Sequence, residues 1–263
     1  MNLFLSILII GIANAGIGWC IGICGIAGFL LPMLYTGALG YDVTTALAMS
    51  FLAFFISGII GAGNYHRAGN LDVSLSLRLG IGSLIGAVIG VLLQSMIEKT
   101  AAKILLYLVV FFSGASILLR LRNEKKKKPS GAYEEESPGL KLTDRLPFLL
   151  FLGITTGTIC SLSGAGGPVL VMPLLVAFGV TARAAVGIAL FDSVFIAVPA
   201  CIGYLAQIRW SEFLPLLLLI AVTHGGGVWL GSRMAGKIPV QGLKLFVAVF
   251  SICISVAMLA ALF

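Results

Sequence analysis

Apolar residues run along this chain in long stretches joined by short polar connections, and eight such blocks stand out. They are Leu3 to Leu39, Val43 to Tyr65, Val73 to Ile97, Ala101 to Leu119, Leu146 to Val180, Ala184 to Gln207, Phe213 to Gly236 and Gly242 to Phe263. About 20 apolar residues cross a bilayer core as a helix, so each block predicts a membrane helix. The first and fifth blocks are too long for one crossing. The pattern predicts an all-α polytopic membrane protein of eight spans, or about ten if the first block of each half is a broken two-span hairpin.

Composition agrees: 59% of the 263 residues are hydrophobic, 10% are charged and mean hydropathy is +1.11. No soluble domain of this size could cover that much apolar surface, so lipid is the solvent. The N-terminus has no basic n-region and leads straight into more apolar sequence; a cleaved signal peptide is therefore not expected. The net charge of +7 comes from basic residues concentrated in loops, which membrane topology explains without nucleic acid. Five cysteines, Cys20, Cys24, Cys160, Cys201 and Cys253, all fall within apolar blocks and read as packing residues. No cofactor and no metal site is expected.

Three regions follow: a first transmembrane repeat over 1–119, a charged linker over 120–145 and a second repeat over 146–263. The linker holds eight of the 17 basic residues and five of the 10 acidic ones, and is expected to be cytoplasmic. Its two flanks resemble each other. A separation of 141 relates Pro32 to Pro173, Gly25 to Gly166, Gly86 to Gly227, Gly90 to Gly231 and Lys103 to Lys244. A two-residue shift relates Ala46, Ala48 and Tyr65 to Ala185, Gly187 and Tyr204. With Arg78 set aside, single crossings divide Lys and Arg ten against six. If the first block of each half folds back, Arg67, Arg183, Arg233, Lys237 and Lys244 share a side with the linker's own eight, and the split becomes 13 against three. The positive-inside rule favours the second arrangement; its odd number of segments per half predicts inverted repeats.

The candidate chemistry sits where glycine interrupts the two long blocks, at GIGWCIGICGIAG and CSLSGAGGP. Glycine lowers helix propensity by roughly 1 kcal/mol and permits positive φ, so the backbone through Ser163, Gly164, Ala165, Gly166 and Gly167 can turn sharply. Pro168 suits the first turn of a new helix. Free N–H groups there, with the helix dipole, would make a site for negative charge at membrane depth. Asn14, Thr155, Thr156, Thr158, Ser161 and Ser163 place uncharged donors beside the breaks. The expected substrate-binding set is Asn14, Gly22, Gly25, Ser50, Thr155, Ser161, Ser163, Gly164, Ala165, Gly166 and Gly167. Glycines 82, 86, 90, 227 and 231 read instead as close-packing positions between helices.

Ionisable side chains inside a span cost at least a few kcal/mol. Three qualify as candidates for coupling or charge pairing. Arg78 could snorkel to the interface or pair with an anion. Asp192 could carry a proton, receive a cation or bond a neighbouring helix. His224, before three glycines, could titrate near neutral pH or simply bond backbone.

Taken together, the glycine-rich break followed six residues later by proline (Gly167 to Pro173), the segment Ala185, Gly187, Ala189, and Tyr204 at the end of the next span resemble the sulfite exporter TauE/SafE family. Pro32, Ala46, Ala48, Ser50 and Tyr65 match in the first half, although GICGIAGFLLP there replaces a run of adjacent glycines. The resemblance covers nearly the whole chain apart from the linker. It implies a permease for sulfur-containing oxyanions, sulfite or organosulfonates, usually outward, across the cytoplasmic (inner) membrane. Transport of another small organic anion such as a carboxylate, an ion channel, and a non-transporting membrane assembly protein are the alternatives. An intramembrane enzyme is disfavoured because no HExxH, paired-aspartate or GxSxG motif is present. Expected partners are a small anion, the bilayer, a coupling proton or cation, and a second copy in a homodimer.

Overall fold

The computed structural model describes residues 3–25, 27–126, 145–237 and 240–260. Most of the charged linker, 127–144, lies outside the described residues. Every regular element among the described residues is helical. In the first half these are α1 (Leu3–Cys24), α2 (Leu30–Met33, prolonged by a π-helical turn Leu34–Ala38), α3 (Val43–Arg67), α4 (Val73–Met96) and α5 (Lys99–Lys126). The second half has α6 (Leu146–Ser163), α7 (Gly167–Ala177), α8 (Ala182–Leu205), α9 (Trp210–Met234) and α10 (Val240–Ala260). Seven of these are long and apolar enough to cross a bilayer by length and composition, whereas α7 is a short apolar helix. Exposed Ile12, Ile81, Leu92, Phe151, Ile202, Leu218, Val222 and Phe246 give the outer surface the apolar character lipid requires.

Helix starts are set by local chemistry. Asp42 caps α3 by accepting from the Thr45 amide at 3.2 Å, and Asp72 caps α4 by accepting from the Leu75 amide at 3.0 Å. Helix α5 continues past Leu119 to Lys126, so the helix extends into the charged segment that the sequence assigns to the linker.

Close helix packing is written in glycine. On α1, Gly18 and Gly22 touch the backbone of α9: an added Cβ would lie 2.6 Å from the His224 carbonyl oxygen and 2.6 Å from that of Val228, respectively. On α4, Gly82, Gly86 and Gly90 meet the α6 backbone at Leu150, Ile154 and Thr158 in the same way. These are small-residue membrane interfaces. Because partner numbers rise together, α1 runs parallel to α9 and α4 runs parallel to α6. Helices α3 and α8 run antiparallel, since Phe51 stacks on Tyr204 (centroids 5.6 Å apart) while Gly187 approaches Tyr65. Helix α3 runs with α9 through Ser57 beside His224 and Asn64 beside Ser232.

The two halves therefore pack by the same pattern. Helix α1 lies on α9 as α6 lies on α4, α3 on α9 as α8 on α4, and α3 pairs with α8 as α5 pairs with α10. Since α4 packs parallel to α8 (Gly80 on Phe195, Gly203 on Val91), corresponding helices of the two halves run in opposite directions. Helices α1 and α3 point the same way, so the short α2 leads the chain back between them, and α7 does the same in the second half. The long first blocks are each a spanning helix plus a short returning helix.

One hydrogen bond recurs in both halves. The Tyr65 hydroxyl donates to the carbonyls of Gly22 (3.2 Å) and Ile23 (3.1 Å), and the Tyr204 hydroxyl donates to that of Ser161 at 2.7 Å. Tyr204 and Ser161 follow Tyr65 and Gly22 by 139 positions each. These bonds tie α3 and α8 to the last turn of α1 and α6, where helix carbonyls lose their intrahelical partners. Tyr65→Phe and Tyr204→Phe are each expected to lower stability by about 1 kcal/mol. Thermal unfolding in detergent would read this as a fall in Tm for both variants, and an unchanged Tm would deny the bonds any stabilising role.

Candidate functional site

Helix α6 stops at Ser163 because Gly164 takes the left-handed conformation (φ 72°, ψ 16°), with its N–H bonded to the Cys160 carbonyl at 2.8 Å. Gly166 follows at φ 76° and ψ 146°, a region that disfavours any side chain. Helix α7 then starts at Gly167 with Pro168 in its first turn. The first half also breaks through two positive-φ residues: Gly25 has φ 67°, and Ala27 has φ 97°, the positive-φ residue other than glycine among those described. Conformation thus pairs Gly25 with Gly164 and Ala27 with Gly166, an offset of 139. The sequence alignment at 141 instead pairs Gly25 with Gly166. The prolines cause the difference, since Pro32 comes seven residues after Gly25 and Pro173 nine after Gly164. Alanine at this dihedral costs roughly 1–2 kcal/mol that glycine in the second half avoids.

The two breaks meet. A Cβ on Gly25 would be 3.5 Å from Pro168 Cβ, and one on Gly164 would be 3.2 Å from Pro32 Cγ. Between them lies a cavity of about 10 Å³ lined by Ile21, Gly25, Gly28, Phe54, Ser57, Gly166, Pro168, Val169 and Ser193. That holds about one water and no oxyanion, so the site is closed on itself in this form. Among the described residues, no acceptor bonds the N–H of Ala27, Gly28, Gly166 or Gly167. Buried amides without partners are rare, and two of these four belong to residues that line the cavity, Gly28 and Gly166.

Each break is backed by a buried ionisable group. The Ser57 hydroxyl that faces the cavity lies 2.7 Å from His224 Nε2 and donates to the Ala53 carbonyl at 2.9 Å. The Nδ1 side of the His224 ring faces α1 near Gly18. Ser193 lines the opposite wall. Its neighbour Asp192 is fully buried and turns to α4 beside Ser83, and among the described residues neither carboxylate oxygen nor the Ser83 hydroxyl has a partner at full hydrogen-bond distance. Asp192 also lies within electrostatic reach of Cys160, whose thiol bonds the Gly166 carbonyl at 3.3 Å.

The sequence-expected residues divide clearly. Gly25 and Gly166 line the cavity, and Gly164, Ala165 and Gly167 are buried in the break that forms it. Asn14 is buried and bonds the Tyr35 hydroxyl of α2 at 2.8 Å, which holds the returning helix against α1. Ser50, Ser161 and Ser163 are buried but bond the preceding turns of their own helices at 2.7, 3.2 and 2.6 Å. Thr156 and Thr158 do likewise, Thr158 also reaching the Gly86 carbonyl. Gly22 packs on α9. Thr155 is exposed, with its hydroxyl on the Phe151 carbonyl, and stands away from the breaks. Arg78 is exposed on the flank of α4, outside the breaks, where its side chain is free to snorkel. Sequence reasoning missed Ser57, Ser193, Phe54 and Tyr35. Ser57 follows Ser50 by seven residues, two helical turns, and that spacing is the only local signal for it. No cluster of metal-ligating side chains occurs among the described residues.

Comparison with known proteins points one way. The profile of the family described as Sulfite exporter TauE/SafE matches residues 3–258. The "Probable membrane transporter protein YdhB" of Bacillus subtilis is 27% identical over 93% of this chain and 94% of its own length. A "Probable membrane transporter protein" of Haemophilus influenzae is 25% identical over 97% of this chain and 99% of its own. A third relative, "Probable membrane transporter protein MJ0441" of Methanocaldococcus jannaschii, is 23% identical over 92% of this chain and 90% of its own. No solved structure matches.

Proposed function

This chain belongs to the sulfite exporter TauE/SafE family of membrane transporters, and from that premise we propose that it carries a small sulfur-containing oxyanion out across the cytoplasmic membrane. The observation that carries the reading is the pair of helix breaks meeting at one buried cavity, where the amides of the lining residues Gly28 and Gly166 have no acceptor among the described residues. Amides and hydroxyls suit a sulfite or sulfonate group, because they bind negative charge without burying a compensating cation in a low-dielectric interior.

The two halves act as inverted repeats of one duplicated unit. Their opposed directions and matching interfaces support this, and so does the cavity's place between them. Because about 10 Å³ cannot hold the cargo, transport requires the breaks to part. Alternating access follows if α1 and α2 with their packing partner α9 rock against α6 and α7 with α4. The Ser57–His224 pair and the buried Asp192 supply groups through which a proton or cation could be coupled to that motion. The basic end, which carries Arg67, Arg183 and Arg233, is the cytoplasmic end by the positive-inside rule.

Counterflow in proteoliposomes tests the proposal. Vesicles loaded with unlabelled sulfite, methanesulfonate, taurine or acetate are diluted into labelled sulfite, and uptake should be fastest with sulfite or a sulfonate inside. Acceleration by acetate alone would replace the sulfur-oxyanion reading with a carboxylate one. Flux that never saturates with concentration would indicate a channel.

A further inference from the structure

A second, larger cavity of about 550 Å³ opens at the end of the bundle where α3 and α9 finish and α8 begins. Its wall carries three guanidinium groups, Arg67, Arg183 and Arg233, together with Asn64, Asn70, Ser232 and Tyr65. Among the described residues none of the three arginines has a carboxylate partner. We propose that this cavity is a loading vestibule that binds one soluble oxyanion, of the sulfite or sulfonate class, before it reaches the paired breaks. The inference rests on the transport reading above and assigns that reading a second site.

Three features separate the cavity from an ordinary basic membrane face. First, the arginines converge on a concave polar volume of the size small-molecule sites have, rather than spreading over the loops. Arg233 is held in place by stacking on Trp229, 4.1 Å from guanidinium carbon to ring centroid, so part of its ordering entropy is met before any anion arrives. Asn64 is likewise fixed, donating to the Ser232 hydroxyl at 2.7 Å.

Second, the cavity abuts the transport path. Tyr65 is in its wall, within electrostatic reach of Arg183, and its hydroxyl bonds Gly22 and Ile23 at the end of α1, immediately before the Gly25 break. An anion drawn to Arg183 is one side chain away from the backbone that must open.

Third, the architecture does not need the charges. At the offsets that relate the halves, 139 for α3 with α8 and 141 for α4 with α9, the counterparts of Arg67, Arg183 and Arg233 are Ala206, Thr44 and Leu92. The packing pattern is shared by both halves, but the three cations stand at one end only. Unpaired guanidiniums at a concave mouth raise the local anion concentration and lose that effect as salt is added.

The test uses the full chain in nanodiscs of neutral lipid, with phenylglyoxal modification of each arginine followed by peptide mass spectrometry. Methanesulfonate, which unlike sulfite does not add to the reagent's aldehyde, at ten times its dissociation constant should slow modification of Arg67, Arg183 and Arg233 about tenfold, and leave Arg78, outside the cavity, unchanged. Equal slowing at Arg78, or none at the three, would overturn the site. Protection by phosphatidylglycerol but not by soluble methanesulfonate would also overturn it, by giving the cavity to a lipid headgroup. In proteoliposomes, Arg183→Gln should raise KM from the basic face about tenfold, keep kcat, and flatten the dependence of KM on ionic strength. A fall in kcat at unchanged KM would overturn the loading role. Protection of the arginines in a protein that moves no anion would refute the transport reading while leaving the binding site standing.

Discussion

Gly166→Leu is expected to reduce anion transport about a hundredfold or more, equivalent to about 2.7 kcal/mol on the rate-limiting step. Two effects add at this position. Gly166 holds φ 76° and ψ 146°, where a residue with a side chain is strained by about 1–3 kcal/mol. Its missing side chain also leaves room for Phe54, whose Cζ would lie 3.2 Å from an added Cβ, and leucine would extend further into a cavity of about 10 Å³. The break would either close over the bulk or straighten, and both outcomes withdraw its amides from the cargo. Gly63→Leu is the matched control, since an added Cβ there meets nothing within 4 Å and its φ is not in the strained region. Initial rates in proteoliposomes, corrected for the amount of folded protein inserted, provide the measurement. A Gly166→Leu protein that inserts normally and transports at the parent rate would remove the break from the mechanism.

Asp192→Asn is expected to move stability and transport in opposite directions. The carboxyl group is fully buried between α8 and α4, and among the described residues neither its oxygens nor the adjacent Ser83 hydroxyl has a partner at full hydrogen-bond distance. A buried carboxylate in that position costs several kcal/mol, and the amide of the same shape removes the charge. Thermal unfolding should therefore shift upward, by about 2–4 °C for each kcal/mol recovered in a chain of this size. Transport should fall about tenfold or more and lose its response to an imposed proton or cation gradient. A buried carboxyl that costs stability, one residue from the cavity-lining Ser193, has a functional reason to be there. The opposite pattern, a lower Tm with gradient-driven transport intact, would make Asp192 a structural hydrogen bonder and move any coupling to His224 and Ser57.

The transmembrane blocks, the two glycine breaks and the basic end were legible from composition and local pattern. Hydropathy over about 20 residues is a sum over neighbours in sequence, and positive φ at Gly164 and Gly166 reflects what glycine permits wherever it stands. The candidate site was legible only in part. Thr155 looks equivalent to Asn14 in a one-dimensional alignment, but rotation about the α6 axis turns its hydroxyl outward to the Phe151 carbonyl. Arg78 lies on the exposed flank of α4 for the same reason. Direction around a helix matters as much as depth along it, and mean hydropathy contains no such information.

From its residues alone this chain was bound to be a multi-helix membrane protein with two glycine-rich backbone breaks, because apolar length and glycine conformation act locally. Tertiary packing alone decided that the breaks touch, that Ser57 and Ser193 flank a shared cavity, and that Arg67, Arg183 and Arg233 meet in one mouth. Those residues lie on helices far apart in sequence. Their approach depends on which glycine-lined faces interlock, a property of pairs of surfaces that no single stretch of chain possesses.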